Sequence, residues 1–344
     1  MTTLALFNNK GGVGKTTLTF HLAHKLAQFG YSVLAVDLDP QANLTAAFLD
    51  GEFLERLWAE HAHLPIRVLA NEQPTLFSLQ SLPAGSGTVG DAVRDLERRE
   101  GPLRLLTPIK IMERLHLMPG DLSLSSFEDT LAKEWPDTIN GDPGALTVTS
   151  SFHRIIRHAA EHAAADITLI DVGPNLGAIN RSALLAADKV LMPLAADLFS
   201  LRGLTNLGPK FRDWRDRWNI RQPDRRSGRS EDDAPHGLME PLGYVVMQPR
   251  MRDGQPGRAH AKWMEDIPIV FATQVLNEDR PAKGDRPHQV GTIRDYGGLM
   301  AAAYRVNKPG FSLMARDGAT ADAIKSCDED FDNLARAIIE RLGK

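Results

Sequence analysis

The sequence predicts an α/β fold: a doubly wound, mainly parallel sheet flanked by helices, with inserted loops and helices. Three observations carry this. Short apolar runs recur along the chain, and such continuous runs suit strands buried on both faces of a parallel sheet. Stretches with helical periodicity alternate with them, the order expected of βαβ units. The 344 residues are 42% hydrophobic and 24% charged, which supplies a core and excludes a mainly disordered chain.

Taken in order, Thr3 to Asn8 is a short apolar run that reads as the first strand. A glycine-rich loop follows. Leu18, Leu22, Leu26 and Phe29 then recur on one face of a helix that Gly30 is placed to end. Val33-Leu34-Ala35-Val36 runs into Asp37 and completes a βαβ unit, whose crossover is expected to be right-handed. Residues 50–150 form an elaborated segment in which clusters of Pro, Gly and Ser at 82–87 and Pro, Gly, Asn and Asp at 140–144 mark loops. Within it, Leu115 to Pro119 predicts a strand, followed by a helix through Leu131. Ser150 or Ser151 caps a helix to Ala164, ahead of a strand at Ile167 to Asp171. Val190 to Pro193 and Tyr244 to Met247 predict two more strands, and Ile267 to Phe271 another. Residues 221–241 are polar with mixed charge and predict a mobile surface loop. Phe331, Leu334, Ala335, Ile338 and Leu342 line a last amphipathic helix. No internal repeat is visible, so residues 1–344 read as a single domain.

Charge and cysteine content narrow the function classes. The formal net charge of −4 does not announce a nucleic-acid binder. The average hides residues 201–230, where nine Lys/Arg face three Asp, so a polyanion contact is to be sought there. The single cysteine, Cys327, excludes intrachain disulfides and a thiolate cluster built by one chain, and it reads as a small buried hydrophobe. No apolar run reaches the ~18 residues of a membrane helix. The N-terminal residues run into a motif with no basic leader, so a cytoplasmic protein without stable membrane insertion is expected.

That motif is Lys10-Gly11-Gly12-Val13-Gly14-Lys15-Thr16-Thr17. Between a strand and a helix, such a loop points its amides and the helix N-terminus at phosphate oxygens. Lys15 supplies a point charge near the β- and γ-phosphates, and the Thr16 hydroxyl can ligate Mg²⁺. The usual first glycine is replaced by Asn9, and an additional lysine, Lys10, follows it. In this form the motif resembles the deviant Walker A sequence of the ParA/MinD family of P-loop ATPases. Val36-Asp37-Leu38-Asp39-Pro40-Gln41-Ala42-Asn43 resembles the family's second motif. Leu169-Ile170-Asp171-Val172-Gly173-Pro174 resembles its Walker B strand and switch II.

The resemblance implies a P-loop NTPase fold of the SIMIBI type and an ATP-driven homodimer with two nucleotides at its interface. It implies that Lys10 reaches the partner's phosphates and stabilises transition-state charge. Lys15 and Thr16 would hold phosphate and Mg²⁺ in cis, with Gly11, Gly12, Val13, Gly14 and Thr17 completing the loop. Asp39 matches the carboxylate that orients the attacking water. Asp37 and Asp171 would support Mg²⁺, and the Gly173 amide would sense the γ-phosphate. Gln248 and Pro249 are candidates for adenine contact. Such an enzyme is expected to be slow until a ParB-like or other partner orders its switch segments.

Lone Cys327 and the single P-loop set aside the iron–sulfur and arsenite-pump relatives, leaving a ParA-like reading against a MinD-like one. For ParA, Lys210, Arg212 and Arg215, with Arg217, Trp214 and Trp218, fall on one predicted helix. Arg250 and Arg252 follow the strand at Val245. ParA-like proteins use basic residues in these regions to grip double-stranded DNA without reading sequence, which implies nucleoid association. The other reading of the helix is a solvated face neutralised by Asp213 and Asp216. Only nine residues precede Lys10, so no operator-binding domain is expected ahead of it. The alternatives are a MinD-like ATPase positioning a membrane or envelope complex, and a nonhydrolysing nucleotide switch. His158 and His162, four residues apart on a helix, read as surface residues rather than a zinc site. So do His21 and His24, on the rim of the helix that follows the glycine loop, and His61 and His63, which lack a third ligand.

Overall fold

The computed structural model describes residues 1–59, 84–219, 234–247, 251–252, 255–256, 258–314 and 317–344. Its strands are β1 (Thr2–Leu6), β2 (Val33–Asp37), β3 (Ile109–Met112), β4 (Leu115–Met118), β5 (Ile167–Asp171), β6 (Lys189–Ala195), β7 (Glu240–Met247), β8 (Met251–Arg252), β9 (Gln255–Pro256) and β10 (Gln289–Ile293). Among the described residues eight of these form one sheet in the order β10-β7-β6-β1-β5-β2-β4-β3, and β8 pairs with β9 apart from it. Every pairing in the large sheet is parallel except that of edge strand β3 with β4.

Alternation along the strands distributes side chains to both faces. Leu4 and Leu6 point into one core, which also holds Leu18, Leu22 and Leu26 of α1 (Lys15–Gln28). Ala5 and Phe7 point into the other, with residues of the helices on the far side. On the first side, α2 (Asn43–Phe48) and α3 (Gly51–Ala59) follow α1. On the far side lie α4 (Val89–Arg98), α5 (Phe127–Ile139), α6 (Pro143–Thr149), α7 (Ser151–His162), α8 (Ala178–Leu185), α9 (Leu198–Asn219) and α10 (Arg258–Val270). The chain then returns to the first side with α11 (Gly298–Arg305) and α12 (Ala321–Arg341).

Local chemistry sets several boundaries. Gly14 caps α1 in the left-handed region at φ 88°, and Gly30 follows its end at φ 94°, conformations that favour glycine. Thr88 and Asp91 form a reciprocal capping box on α4, and Asp142 caps α6 ahead of Pro143. Residues Phe331, Leu334, Ala335 and Ile338 of α12 are buried against α1 and β10, as their spacing predicts.

Three expectations are corrected. Ile267 to Phe271 is not a strand: α10 covers Ile267 and continues as a π-helical turn over Phe271–Leu276. A short apolar run is compatible with either period, and here Ile267, Phe271 and Val275, spaced by four, are buried in the far-side core that also holds Leu207 and Phe211 of α9. The expected mobile loop 221–241 ends too late, because β7 begins at Glu240. Its residues 221–233, the 60–83 part of the elaborated segment, and His61 and His63 lie outside the described residues. His21 is also not on the rim. It is fully buried, accepting from the Gly310 amide through Nε2 at 2.9 Å while Nδ1 faces the Thr17 carbonyl at 2.8 Å. Cys327 is buried as expected.

Candidate functional site

Strand β1 lies between β5 and β6, while the chain leaving it crosses over to β2. A crevice therefore opens at the carboxyl ends of β1, β5 and β2, the place where open α/β sheets bind ligands. The glycine loop, Asp37 and Asp171 all stand at this edge. Asp37 and Asp171 are register partners on adjacent strands.

The loop is held from below by Asn8. Its Nδ2 donates to the Pro193 carbonyl of β6 at 2.7 Å, and its Oδ1 accepts the Lys10 amide at 3.0 Å. Lys15, the first residue of α1, is buried and donates from Nζ to the Asn8 carbonyl at 3.1 Å. Burial presses this ammonium below its ordinary pKa, against the pull of Asp171 and Asp39. Gly12 and Gly14 both take positive φ. A Cβ on Gly14 would lie 3.2 Å from the Met247 methyl at the end of β7.

The Thr16 hydroxyl donates to Asp171 at 2.7 Å, and the Thr19 hydroxyl lies 3.4 Å from its other oxygen. Asp171 is fully buried, which pushes its pKa up to about 8, with the Asp37 charge adding to the effect. Asp37 is equally buried and is raised to about 7, although the Thr45 hydroxyl and amide favour its charged form. Those two groups donate to Asp37 Oδ2 at 2.7 and 2.8 Å, and the Asp39 amide donates to Oδ1 at 3.2 Å. Asp37 thereby ties the turn after β2 to α2. Asp39 accepts the Gln41 amide at 3.0 Å, and a Cβ on Gly173 would lie 3.4 Å from Asp39 Oδ1. The donor set of one hydroxyl and buried carboxylates is all hard oxygen, the chemistry Mg²⁺ prefers. The raised carboxylate pKa values mark charge that a bound cation would compensate.

Lys10 stands apart from this cluster. Its ammonium pairs with Asp197 just before α9, and both side chains are about one-third exposed (31% and 32%). Burial alone would raise the Asp197 pKa, but the Lys10 contact and the Ser200 amide outweigh it and hold it below its ordinary value. Helix α9 approaches the loop closely at Gly203, where a Cβ would lie 2.5 Å from Asn9 Oδ1.

The structure therefore brings Lys15, Thr16, Asp37, Asp39, Asp171 and Gly173 to one edge, and leaves Lys10 folded on Asp197. Gln248, Pro249 and Arg250, and the side chain of Arg252, lie outside the described residues. On α9, Lys210 is exposed and Arg215 half-buried. Arg212 is engaged within the chain, donating to the Gln274 and Val275 carbonyls at 2.9 and 3.3 Å. Arg217 pairs with Asp213 at 2.7 Å. Trp214 and Trp218 are buried core residues, not surface aromatics. Sequence reasoning missed Asn8, Thr45 and Asp197, because their partners lie elsewhere in the chain. Among the described residues no group of three or more His, Cys, Asp or Glu could hold a metal by itself.

A family model described as an AAA domain matches residues 1–222. A putative replication protein A of Rhizobium rhizogenes is 30% identical over 61% of this chain and 47% of its own length. The chromosome-partitioning ATPase Soj of Thermus thermophilus is 31% identical over 59% of each chain. This chain thus spans about half to three-fifths of the length of those two relatives. Among solved structures, a Corynebacterium diphtheriae protein superposes with a TM-score of 0.67 at 23% identity, covering 99% of both chains. An ATP complex of Cyanothece McdA gives 0.61 at 17% identity, covering 100% of this chain and 96% of that one. The septum site-determining protein MinD of Pyrococcus horikoshii, complexed with Mg-ADP, gives 0.53 at 16%, covering 99% and 97%. At these identities the likeness establishes the fold.

Proposed function

From the premise that this chain belongs to the AAA-domain family, the ParA/MinD-type P-loop proteins matched over its first 222 residues, we propose that it is a ParA-like ATPase. It dimerises on Mg-ATP, binds double-stranded DNA without reading sequence, and acts in DNA partitioning, with hydrolysis stimulated by a partner protein. The observation that carries this reading is the convergence of Lys15, Thr16, Asp39 and Asp171 at the glycine loop, with a second lysine, Lys10, held outside the cluster.

Each residue then has a task. The loop amides and Lys15 bind the β- and γ-phosphates, the Thr16 hydroxyl and Asp171 hold Mg²⁺, and Asp39 orients water. Mg²⁺ held by these residues would supply positive charge against that developing on the phosphoryl oxygens. Lys10 exchanges Asp197 for the phosphates of a second copy, supplying a cation only when two subunits meet. ATP thereby favours the dimer, and hydrolysis withdraws that preference.

Of the α9 residues expected to grip DNA backbone, Lys210 is exposed and Arg215 half-buried, whereas Arg212 is committed to carbonyls. The alternative is a MinD-like ATPase positioning a membrane or envelope complex; the burial of Phe331, Leu334 and Ile338 of α12 in the core speaks only against a form of it in which this helix lies in a bilayer interface. No helix among the described residues is long and apolar enough to cross a membrane.

Phosphate release with and without DNA, using Asp39→Ala as the control, tests the reaction. Light scattering with ADP, ATP and a nonhydrolysable analogue tests the dimer. A wild-type chain that releases phosphate no faster than Asp39→Ala, or that stays monomeric with every nucleotide, would overturn the reading.

A further inference from the structure

Glu128 is remote from the phosphate loop in sequence and belongs to α5, in the elaborated segment. Its side chain nevertheless reaches the start of α8. Oε1 accepts the Ala178 amide at 2.5 Å and Oε2 the Ile179 amide at 2.8 Å. Helix α8 has no side-chain cap of its own, because its N-cap is Gly177. The Glu128 carboxylate supplies one, satisfying two amides that a helix start leaves unpaired and placing negative charge where the helix dipole favours it. A Cβ on Gly177 would lie 2.4 Å from Glu128 Oε1. The carboxylate thus occupies the space that any larger residue at 177 would need.

The same turn of α8 holds the segment after β5. Asn180 Nδ2 donates to the Gly173 carbonyl at 2.8 Å, to the Asn175 carbonyl at 2.7 Å and to Asn175 Oδ1 at 2.9 Å. A second tie runs from α8 to α5. The Arg181 guanidinium lies 4.2 Å over the Trp135 ring and Nη2 donates to the Leu131 carbonyl at 3.4 Å. Trp135 in turn stacks on Trp218 of α9, with centroids 6.2 Å apart and planes 5° from parallel. Helix α5 is therefore a base fixed in the core, and Glu128 is the point from which it grips α8.

We infer that Glu128 is a positioning residue for ATP hydrolysis, which by capping α8 fixes the 173–177 segment and holds Gly173 beside Asp39, where its amide can meet the terminal phosphate. The inference rests on the ATPase reading above. Reaction rates depend steeply on the placement of reacting groups. Without the cap, the segment keeps the Asn180 hydrogen bonds but loses the anchor beneath them. Glutamine at 128 offers one acceptor and turns an NH₂ group toward the other amide, so it restores half of the grip.

Steady-state phosphate release by the full chain, titrated with Mg-ATP, provides the test. Glu128→Ala is expected to lower kcat about tenfold and leave KM within about twofold, because the glycine loop is untouched. Glu128→Gln falls between the two. Gly177→Ala alone is expected to lose at least as much as Glu128→Ala. Added to Glu128→Ala it costs much less than it does alone, because the methyl enters the vacated space and meets only Asn175 Oδ1, at 3.0 Å. Independent losses that multiply, a normal kcat in Glu128→Ala, or a raised KM at normal kcat would overturn the proposal.

Hydrogen exchange of the 172–177 amides with a nonhydrolysable ATP analogue reads the positioning without turnover. Nucleotide slows exchange in the wild type, and this slowing is lost in Glu128→Ala. Equal slowing in both refutes the role. A wild type that shows the slowing yet releases no phosphate overturns the hydrolysis reading, and with it a hydrolytic role for Glu128, while leaving its grip on the segment established.

Discussion

In the proposed ATPase, Lys10 and Asp39 divide the chemistry at the scale of single side chains. Asp39 is buried in the chain's own crevice, beside Gly173. Lys10 is tethered by Asp197, and in the proposed reading it acts only in an assembly that offers it more negative charge. Lys10→Ala is therefore expected to reduce ATP hydrolysis at least about 100-fold, toward the range lost with arginine fingers, while single-copy ATP binding persists through Lys15. Fluorescent-nucleotide titration beside a phosphate-release assay separates the two effects. These lysines and carboxylates were legible in the sequence because each sits in a short contiguous motif. Asn8, Thr45 and Glu128 were not, because their roles are defined by partners such as Pro193, Gly120 and Ala178, brought near only by folding.

Helix α1 shows how an element can add requirements of its own. His24 packs against the Phe20 and Phe48 rings at 4.8 and 5.5 Å, and its Nε2 has no partner among the described residues. Burial, aided by the neighbouring His21, lowers its pKa to about 3, and burial lowers that of His21 to about 4. A base whose folded pKa is depressed binds fewer protons when native than when unfolded. Its contribution is therefore fully present above the ordinary pKa of 6.5 and is lost as pH falls from there toward about 3. The unfolding free energy is expected to drop across this window. His24→Phe, which replaces the ring with an apolar one, should flatten the acid limb by an amount on the order of 5 kcal/mol at full protonation without lowering stability at pH 7. Urea unfolding at stepped pH measures both.

Helix α9 meets the π-turn at Gly208, where a Cβ would lie 1.8 Å from the Gln274 carbonyl oxygen. Gly208→Ala forces two backbones apart and is expected to cost at least about 2 kcal/mol, read as a lower urea midpoint. Legibility at this scale followed periodicity. Strand β5 and the last helix carry strong patterns, whereas edge strands β3 and β10 are short and carry polar residues, and they escaped notice.

Across the whole molecule, the proposed function depends on assembly and on net field. If Lys210 and Arg215 of two copies each neutralise one phosphate, DNA affinity of the ATP-bound dimer should fall on the order of several hundredfold between 50 and 300 mM salt. Filter binding or anisotropy with a random duplex checks this, and a flat response refutes an electrostatic grip. Arg212→Ala is expected to act differently. It removes the hydrogen bonds that close the π-turn, so it should lower thermal stability more than it lowers the salt slope.

The sequence by itself determined the phosphate loop, the strand-end carboxylates and the alternation that makes a doubly wound sheet. Those depend on neighbours in the chain and on hydrophobic period, both local properties. Only the tertiary structure decided that Trp214, Trp218 and His21 belong to the core, that Arg212 serves the backbone, and that a glutamate from the elaborated segment caps the helix beyond Gly173. Burial and hydrogen-bond partnership are relations between distant segments, and they come into being when those segments pack.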